Sequence, residues 1–289
     1  MIEHAEEHRN KYALVTGASS GIGYELARIL ARNGYNLIVV ARDEQQLEKA
    51  TRDFREFNVE VTPLVKDLFS EGAAAEIMEY TRSMGISVDI LVNNAGQGEH
   101  GKFIETDLQR QLDIIRLNIS SLVALTHYYL KDMVNRDEGK ILQVGSEVSK
   151  MPMPLMAVYA ATKSFVLSFT EALVNELEDT NVTMTLLMPG ATDTDFFDKA
   201  GAEDTKVYRE GKLESPETVA AAAYDALVKG SRRVIAANAK KNVAMAAVMP
   251  DNINAKNMRK QMEPSEKSPD GTRHDPVHPP SLQEKRMGP

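Results

Sequence analysis

Short, continuous runs of aliphatic residues alternate along the chain with longer stretches whose apolar positions recur every three or four residues. Tyr12–Thr16, Asn36–Ala41, Val59–Val65, Asp89–Asn93, Lys140–Gly145 and Val182–Met188 are runs of the first kind, and Arg232–Ala237 is a weaker seventh. Runs without polar alternation predict strands buried on both faces, as in a parallel sheet covered by helices. The intervening stretches predict helices over Tyr24–Asn33, Glu44–Phe57, Ala73–Met84, Leu108–Asn135 and Val158–Asp179. Repeated strand-helix units predict a doubly wound α/β sheet of about seven parallel strands with helices on both faces. No internal repeat and no second domain is legible.

The pattern fails near the end. Pro250 to Pro289 holds seven of the 12 prolines, with seven basic and six acidic residues mixed among them. Ile253, Met258 and Met262 could face one side of a short helix, and nothing periodic follows Glu263. The expected division is therefore a single α/β domain over 1–262 and a proline-rich tail over 263–289. Two accounts of that tail stay open: a flexible end, or an arm packed on a partner subunit.

Composition narrows the chemistry. With 289 residues, 43% hydrophobic and 26% charged, the chain resembles an ordinary globular protein with a core large enough to need no staples. Zero cysteines remove disulfides, thiolate metal sites and cysteine nucleophiles. Six scattered histidines, with His100 and His127 alone in mid-chain, give no zinc-type spacing, so no metal is expected. A formal charge of −8 argues against a nucleic-acid surface, which needs excess Lys and Arg. No uncharged run approaches bilayer length, and the acidic stretch Met1 to Asn10 lacks the apolar core of a signal peptide. A cytoplasmic protein without membrane partners is expected.

Two motifs carry the functional signal. Thr16-Gly17-Ala18-Ser19-Ser20-Gly21-Ile22-Gly23 follows the first predicted strand and opens the first helix. Glycines there let the backbone turn sharply and approach a pyrophosphate at the positive end of a helix. Tyr159-Ala160-Ala161-Thr162-Lys163 lies some 140 residues on, and Ser146 stands thirteen residues before the tyrosine. Residues i and i+4 share a helix face, so Tyr159 and Lys163 can enter one cleft. Each motif alone has a bland account, as packing or as a solvated helix charge. Together, in this order from about Lys11 to about Pro250, they resemble the short-chain dehydrogenase/reductase family.

That resemblance implies a Rossmann fold, a nicotinamide cofactor and interconversion of a carbonyl with a secondary alcohol. Gly17, Ser19, Ser20, Gly21, Ile22 and Gly23 would hold the cofactor's phosphates. Ala41 stands where NAD-specific members place Asp, and Arg42 follows where many NADP-dependent members are basic, so NADP(H) is favoured over NAD(H). Asp43 is open between a helix cap and a group that weakens that discrimination. Asp67 and Leu68 match the adenine contact, and Asn94, Ala95 and Gly96 the adenosine side. Pro189, Gly190, Thr192 and Thr194 match the nicotinamide side.

The catalytic set implied is Ser146, Tyr159, Lys163 and Asn118. A hydride needs a proton to follow it, and Tyr159 would supply one. The ammonium of Lys163, together with the positive oxidised nicotinamide, is expected to lower the tyrosine pKa from about 10. Ser146 would stabilise charge on the substrate oxygen, and Asn118 would order the lysine. Ser149 is the rival serine, ten residues before the tyrosine.

The substrate wall is expected from Glu147 to Met156 and from Asp193 to about Leu213. Met151, Met153, Leu155, Met156, Phe196 and Phe197 there fit an adaptable apolar pocket, or equally a core or subunit contact. The substrate itself is a ketone, 3-oxoacyl, steroid-like or aldehyde compound that these motifs do not single out. A non-catalytic NADP-binding sensor on the same fold is the alternative function.

Surplus apolar residues, Leu117, Leu122, Val123, Leu125 and Tyr129 with Phe165, Leu167, Phe169 and Leu173, ask for a second partner. Either a homodimer or homotetramer supplies it, or residues 236–262 of the same chain do.

Overall fold

A computed structural model describes residues 8–266. Seven strands, β1 (Tyr12–Thr16), β2 (Asn36–Ala41), β3 (Val61–Val65), β4 (Val88–Asn93), β5 (Gly139–Val144), β6 (Val182–Met188) and β7 (Arg233–Ile235), form one sheet. Their order is β3-β2-β1-β4-β5-β6-β7, and every pairing is parallel. Strand order reverses beside β1, where successive crossovers leave in opposite directions and open a crevice at the C-terminal strand ends. The longer helices are α1 (Gly21–Arg32), α2 (Glu44–Arg55), α3 (Ala73–Ser83), α4 (Leu108–Ile115), α5 (Leu122–Arg136) and α6 (Ala157–Glu176). The C-terminal part adds α7 (Phe196–Ala200), α8 (Lys206–Arg209), α9 (Pro216–Val228), α10 (Lys240–Ala246) and α11 (Asp251–Met262).

Successive strand residues point to opposite faces, so Val15 and Leu14 enter different cores. On one side Leu26, Leu30, Leu47, Phe54, Val219 and Leu227 pack α1, α2 and α9 on the sheet. On the other, Ile77, Leu125, Tyr129 and Met133 do the same for α3 and α5. Each such side chain, buried fully, contributes about 1.5–3 kcal/mol. No helix among the described residues is long and apolar enough to cross a membrane.

Three expectations change. The helix predicted over Leu108–Asn135 is interrupted by a π turn at Arg116–Ser121, whose wider pitch gives Asn118 its place. In α11 the buried face is Asn254, Met258 and Met262, spaced by four, whereas Ile253 lies a step round the helix and is 43% exposed. The chain also continues in order past Met262. The Lys206 N–H donates to the Glu263 carbonyl at 3.0 Å, Pro264 bridges Thr205, and the Ser265 N–H donates to the Asp204 carbonyl at 2.7 Å. The expected boundary at 263 thus falls inside a paired segment, and the rest of the expected tail, 267–289, lies outside the described residues.

The surplus apolar residues divide. Val123, Leu167 and Phe169 pack against an intrachain cluster of Leu122, Val166, Leu186, Met188, Ala239 and Val243 of α10. Phe165 stays exposed at 38%, and two leucines outside the expected set, Leu108 and Leu112, are exposed as well, at 64% and 44%.

Candidate active site

The glycine turn forms because β1 must hand over to α1 within four residues. Gly17 and Gly21 adopt φ of +66° and +58°, a region that side chains disfavour. At Gly23 a Cβ would lie 2.2 Å from the Gly17 carbonyl and 2.3 Å from Asn94 Nδ2, so only glycine fits. Asn94 is tied to this turn, its Nδ2 donating to the Thr16 carbonyl at 2.9 Å and to the Gly17 carbonyl at 3.2 Å. Thr16 Oγ1 accepts the N–H groups of Asn94 and Ala95, both at 3.0 Å. Thr16 escaped the sequence reading because its role depends on β4 lying beside β1. The cradle of bare backbone fits a nucleotide pyrophosphate, with Ser19, Ser20 and Ile22 on its rim.

At the end of β2, Arg42 lines the same cleft and lies 5.4 Å over the Phe69 ring, with Arg110 5.5 Å over that ring. Asp43 accepts from the Gln46 N–H at 2.9 Å, so it caps α2. Lys66 also lines the cleft here and is paired with Glu76. Asp67 Oδ1 accepts from the Phe69 N–H, and the Leu68 carbonyl accepts from Ser121 Oγ. Phe69, Arg110 and Lys66 were not foreseen, since each is brought to Arg42 by tertiary folding alone.

The polar centre lies at the other end of the cleft. The Ser146 side chain lies beside the Tyr159 hydroxyl and favours its ionised form, and the Ser146 N–H donates to Ser149 Oγ at 3.1 Å. Both serines form a capping box, Ser146 Oγ accepting from the Val148 N–H at 3.3 Å and Ser149 Oγ from the Ser146 N–H, and Ser146 is the one beside the tyrosine. Lys163 is 5% exposed, its Nζ 5.8 Å from the Tyr159 ring centre and 2.8 Å from the Val144 carbonyl, to which it donates. Burial pushes the Lys163 pKa down to about 8 and the Tyr159 pKa up to about 12. In the chain alone the direction at Tyr159 is upward: desolvation outweighs the effect of Ser146, and the lysine points to a carbonyl. A protonated tyrosine results, which is the form that can donate.

Asn118 is buried in the π turn. Its Oδ1 accepts from the Gln97 N–H at 3.0 Å, and its Nδ2 donates to the Gln97 carbonyl and Thr162 Oγ1, both at 2.9 Å. It orders the Gly96–Gln97 strand end against α6, and so reaches the lysine through the helix that carries it.

Across from these, Thr194 packs against Gly21, 2.9 Å from where its Cβ would stand, which brings the post-β6 turn onto the glycine turn. Pro189, Gly190 and Thr192 continue the same wall, with Thr192 Oγ1 donating to the Gly190 carbonyl. The far wall is apolar: Met153, Met156, Phe196, Phe197, Val207 and Met258 line it, and the Tyr159 and Phe196 rings are 5.0 Å apart. Met151 and Leu155 join the same cluster behind the wall. Met258 comes from α11, which His100 Nε2 holds through the Met262 carbonyl at 2.8 Å.

A glycine-rich nucleotide cradle joined to a Ser-Tyr-Lys centre on a parallel Rossmann sheet defines an oxidoreductase of nucleotide-cofactor type. The short chain dehydrogenase model matches residues 11–205, more than half of the chain, and the protein belongs to that family. The chain is 34% identical over 189 residues to the uncharacterized oxidoreductase YvaG of Bacillus subtilis, covering 65% of this chain and 70% of that protein. It is 32% identical over 179 residues to a very-long-chain 3-oxoacyl-CoA reductase of Laccaria bicolor, covering 61% of this chain and 53% of the other, so it matches about half of that relative. It is 34% identical to a putative ketoacyl reductase of Streptomyces coelicolor, over 64% of this chain and 72% of that one. Among solved structures, a short-chain dehydrogenase from Sphingobium yanoikuyae in complex with NADPH superposes with a TM-score of 0.73, at 30% identity, over 78% of this chain and 87% of that one. A bulky-bulky ketone specific alcohol dehydrogenase from Comamonas testosteroni gives 0.70 at 28% identity, over 79% and 87%. Val207 and Met258 lie beyond the matched residues.

Proposed function

We propose that the protein reduces a ketone with apolar flanks, using NADPH. The convergence of Ser146, Tyr159 and Lys163 at one end of a cleft whose other end is the Gly17–Gly23 cradle carries this reading. When bound, the reduced nicotinamide supplies the hydride. Tyr159 donates the proton, Ser146 hydrogen-bonds the carbonyl oxygen as negative charge grows on it, and Lys163 holds the ribose hydroxyls. Asn118 keeps the Gly96–Gln97 segment against α6.

The cradle residues Gly17, Ser19, Ser20, Gly21, Ile22 and Gly23 bind the phosphates. Asp67 and Leu68 meet the adenine, Asn94, Ala95 and Gly96 the adenosine, and Pro189, Gly190, Thr192 and Thr194 the nicotinamide. Arg42 binds the 2′-phosphate, while Asp43, which lines the cleft beside it, is engaged as the cap of α2. NADPH in the Sphingobium relative supports the same preference.

The apolar wall supports a bulky substrate, as do ketoacyl, 3-oxoacyl and bulky ketone activities among the relatives. We further propose a cytoplasmic homodimer or homotetramer, joined through the exposed faces of α4 and α6. NADPH consumption with a graded panel of ketones tests the function. Turnover rising with apolar bulk is expected, and consumption only with small polar carbonyls would overturn the substrate class.

A further inference from the structure

Glu147 directly follows Ser146 and is only 9% exposed. Its N–H donates to the Pro189 carbonyl at 2.8 Å. Its carboxylate accepts from Asn242 Nδ2 at 2.8 Å and faces the Ala191 N–H, which favours its ionised form. One residue thus joins the end of β5, the turn after β6, and α10. The same turn is pinned from behind by Asn238, whose Nδ2 donates to the Ala191 carbonyl at 2.8 Å. Gly190 lies so near Asn238 that a Cβ would stand 2.5 Å from its Oδ1.

The sheet does not need this cluster. β5 and β6 pair in register from Gly139 with Val182 to Val144 with Leu187, before Glu147 is reached. Burying a carboxylate against neutral amides is unfavourable compared with an apolar side chain, and burial pushes its pKa up. The next residue, Val148, is buried in an apolar cluster, which shows what packing alone would use there. The carboxylate is explained by what its bonds connect. One end carries the serine that meets Tyr159, and the other carries Pro189, Gly190, Thr192 and Thr194.

We propose that Glu147 is a positioning residue that locks the nicotinamide-side turn to the Ser146 strand end, so that hydride donor and carbonyl-binding groups share one frame. This rests on the hydride-transfer reading above. Displacement of such a frame by about 1 Å is enough to slow a reaction by about 100-fold.

The test compares Glu147→Ala and Glu147→Gln with the native chain. NADPH affinity, emission of the bound nicotinamide, and kcat and KM for one ketone are measured. Glu147→Ala is expected to keep NADPH affinity within about three-fold, since the phosphates are held elsewhere, while kcat falls about 100-fold and nicotinamide emission shifts toward that of free NADPH. Glu147→Gln is expected to recover kcat to within about ten-fold, because its amide can accept from Ala191 and donate to a flipped Asn242. A Glu147→Ala kcat within about three-fold of native would overturn the proposal, as would a Gln variant as impaired as the Ala variant. Should Glu147→Ala fail to fold, Asn242→Ala removes one bond only: about a ten-fold loss in kcat with unchanged NADPH affinity is expected, and unchanged kcat overturns the role. A native chain that does not bind NADPH would overturn the hydride-transfer reading itself, and this proposal with it. Normal native turnover beside a neutral Glu147→Ala sinks only the positioning role.

Discussion

Asn118 donates to Thr162 Oγ1 at 2.9 Å, and Thr162 Oγ1 donates in turn to the Tyr159 carbonyl at 2.7 Å. The π turn is thereby coupled to the helix turn that carries the proposed proton donor. The pair is 44 positions apart, and an uninterrupted helix through 108–136 would alter the register that aims Asn118 at Thr162.

Tyr159→Phe removes only the phenolic hydroxyl and leaves the backbone carbonyl that Thr162 holds in place. Ketone reduction is expected to fall at least 10²–10⁴-fold, roughly the contribution of a positioned general acid, with NADPH affinity nearly unchanged. Steady-state turnover and a cofactor titration check both halves. Residual activity of more than a few per cent would refute the proton route.

Arg42→Ala addresses cofactor choice. Charge-assisted bonds of about 1.5–3 kcal/mol predict a KM for NADPH raised roughly 10- to 100-fold, and little change with NADH. Equal losses with both cofactors would assign Arg42 to packing on Phe69 instead.

Lys163 makes a stability prediction with a defined sign. Its pKa falls from 10.5 to about 8 on burial, so the folded chain binds this proton less tightly than the unfolded chain. The penalty is full below pH 8, declines between 8 and 10.5, and is gone above that. Lys163→Met is expected to stabilise the cofactor-free protein at pH 7 by on the order of 1–3 kcal/mol, while abolishing activity. Thermal unfolding at pH 7 and at pH 10 should show the gain shrinking. A gain independent of pH would contradict the assignment.

Met258→Ala tests the wall supplied by α11. Losing its contact is expected to raise KM for a bulky apolar ketone about 5- to 50-fold, and to leave small ketones within about two-fold. A chain ending at Glu266 keeps the pairing of 263–265 with 204–206 and is expected to match the full chain. Equal KM changes for all ketones would make Met258 a packing residue only.

Phe165→Asp probes assembly. Phe165, Leu108 and Leu112 leave an apolar face that α10 does not cover. Light scattering is expected to give at least twice the 32.0 kDa chain mass for the native protein and the chain mass for the variant. A native monomer would refute the interface.

The strand pattern, the glycine turn and the Ser-Tyr-Lys spacing were legible in the sequence, because each rests on local rules. Unbroken aliphatic runs must be buried on both faces, positive φ requires glycine, and a four-residue spacing shares a helix face. Ser146 over Ser149, Asp43 as a cap, and the π turn around Asn118 were decided by side chains meeting from distant segments. So were Thr16 beside Asn94, Phe69 under Arg42, and Met258 over the pocket. The Tyr159 pKa shows the same division most sharply. The sequence places a lysine four residues on and predicts a lowered value, but desolvation depends on everything packed around the hydroxyl, and only the folded chain determines that.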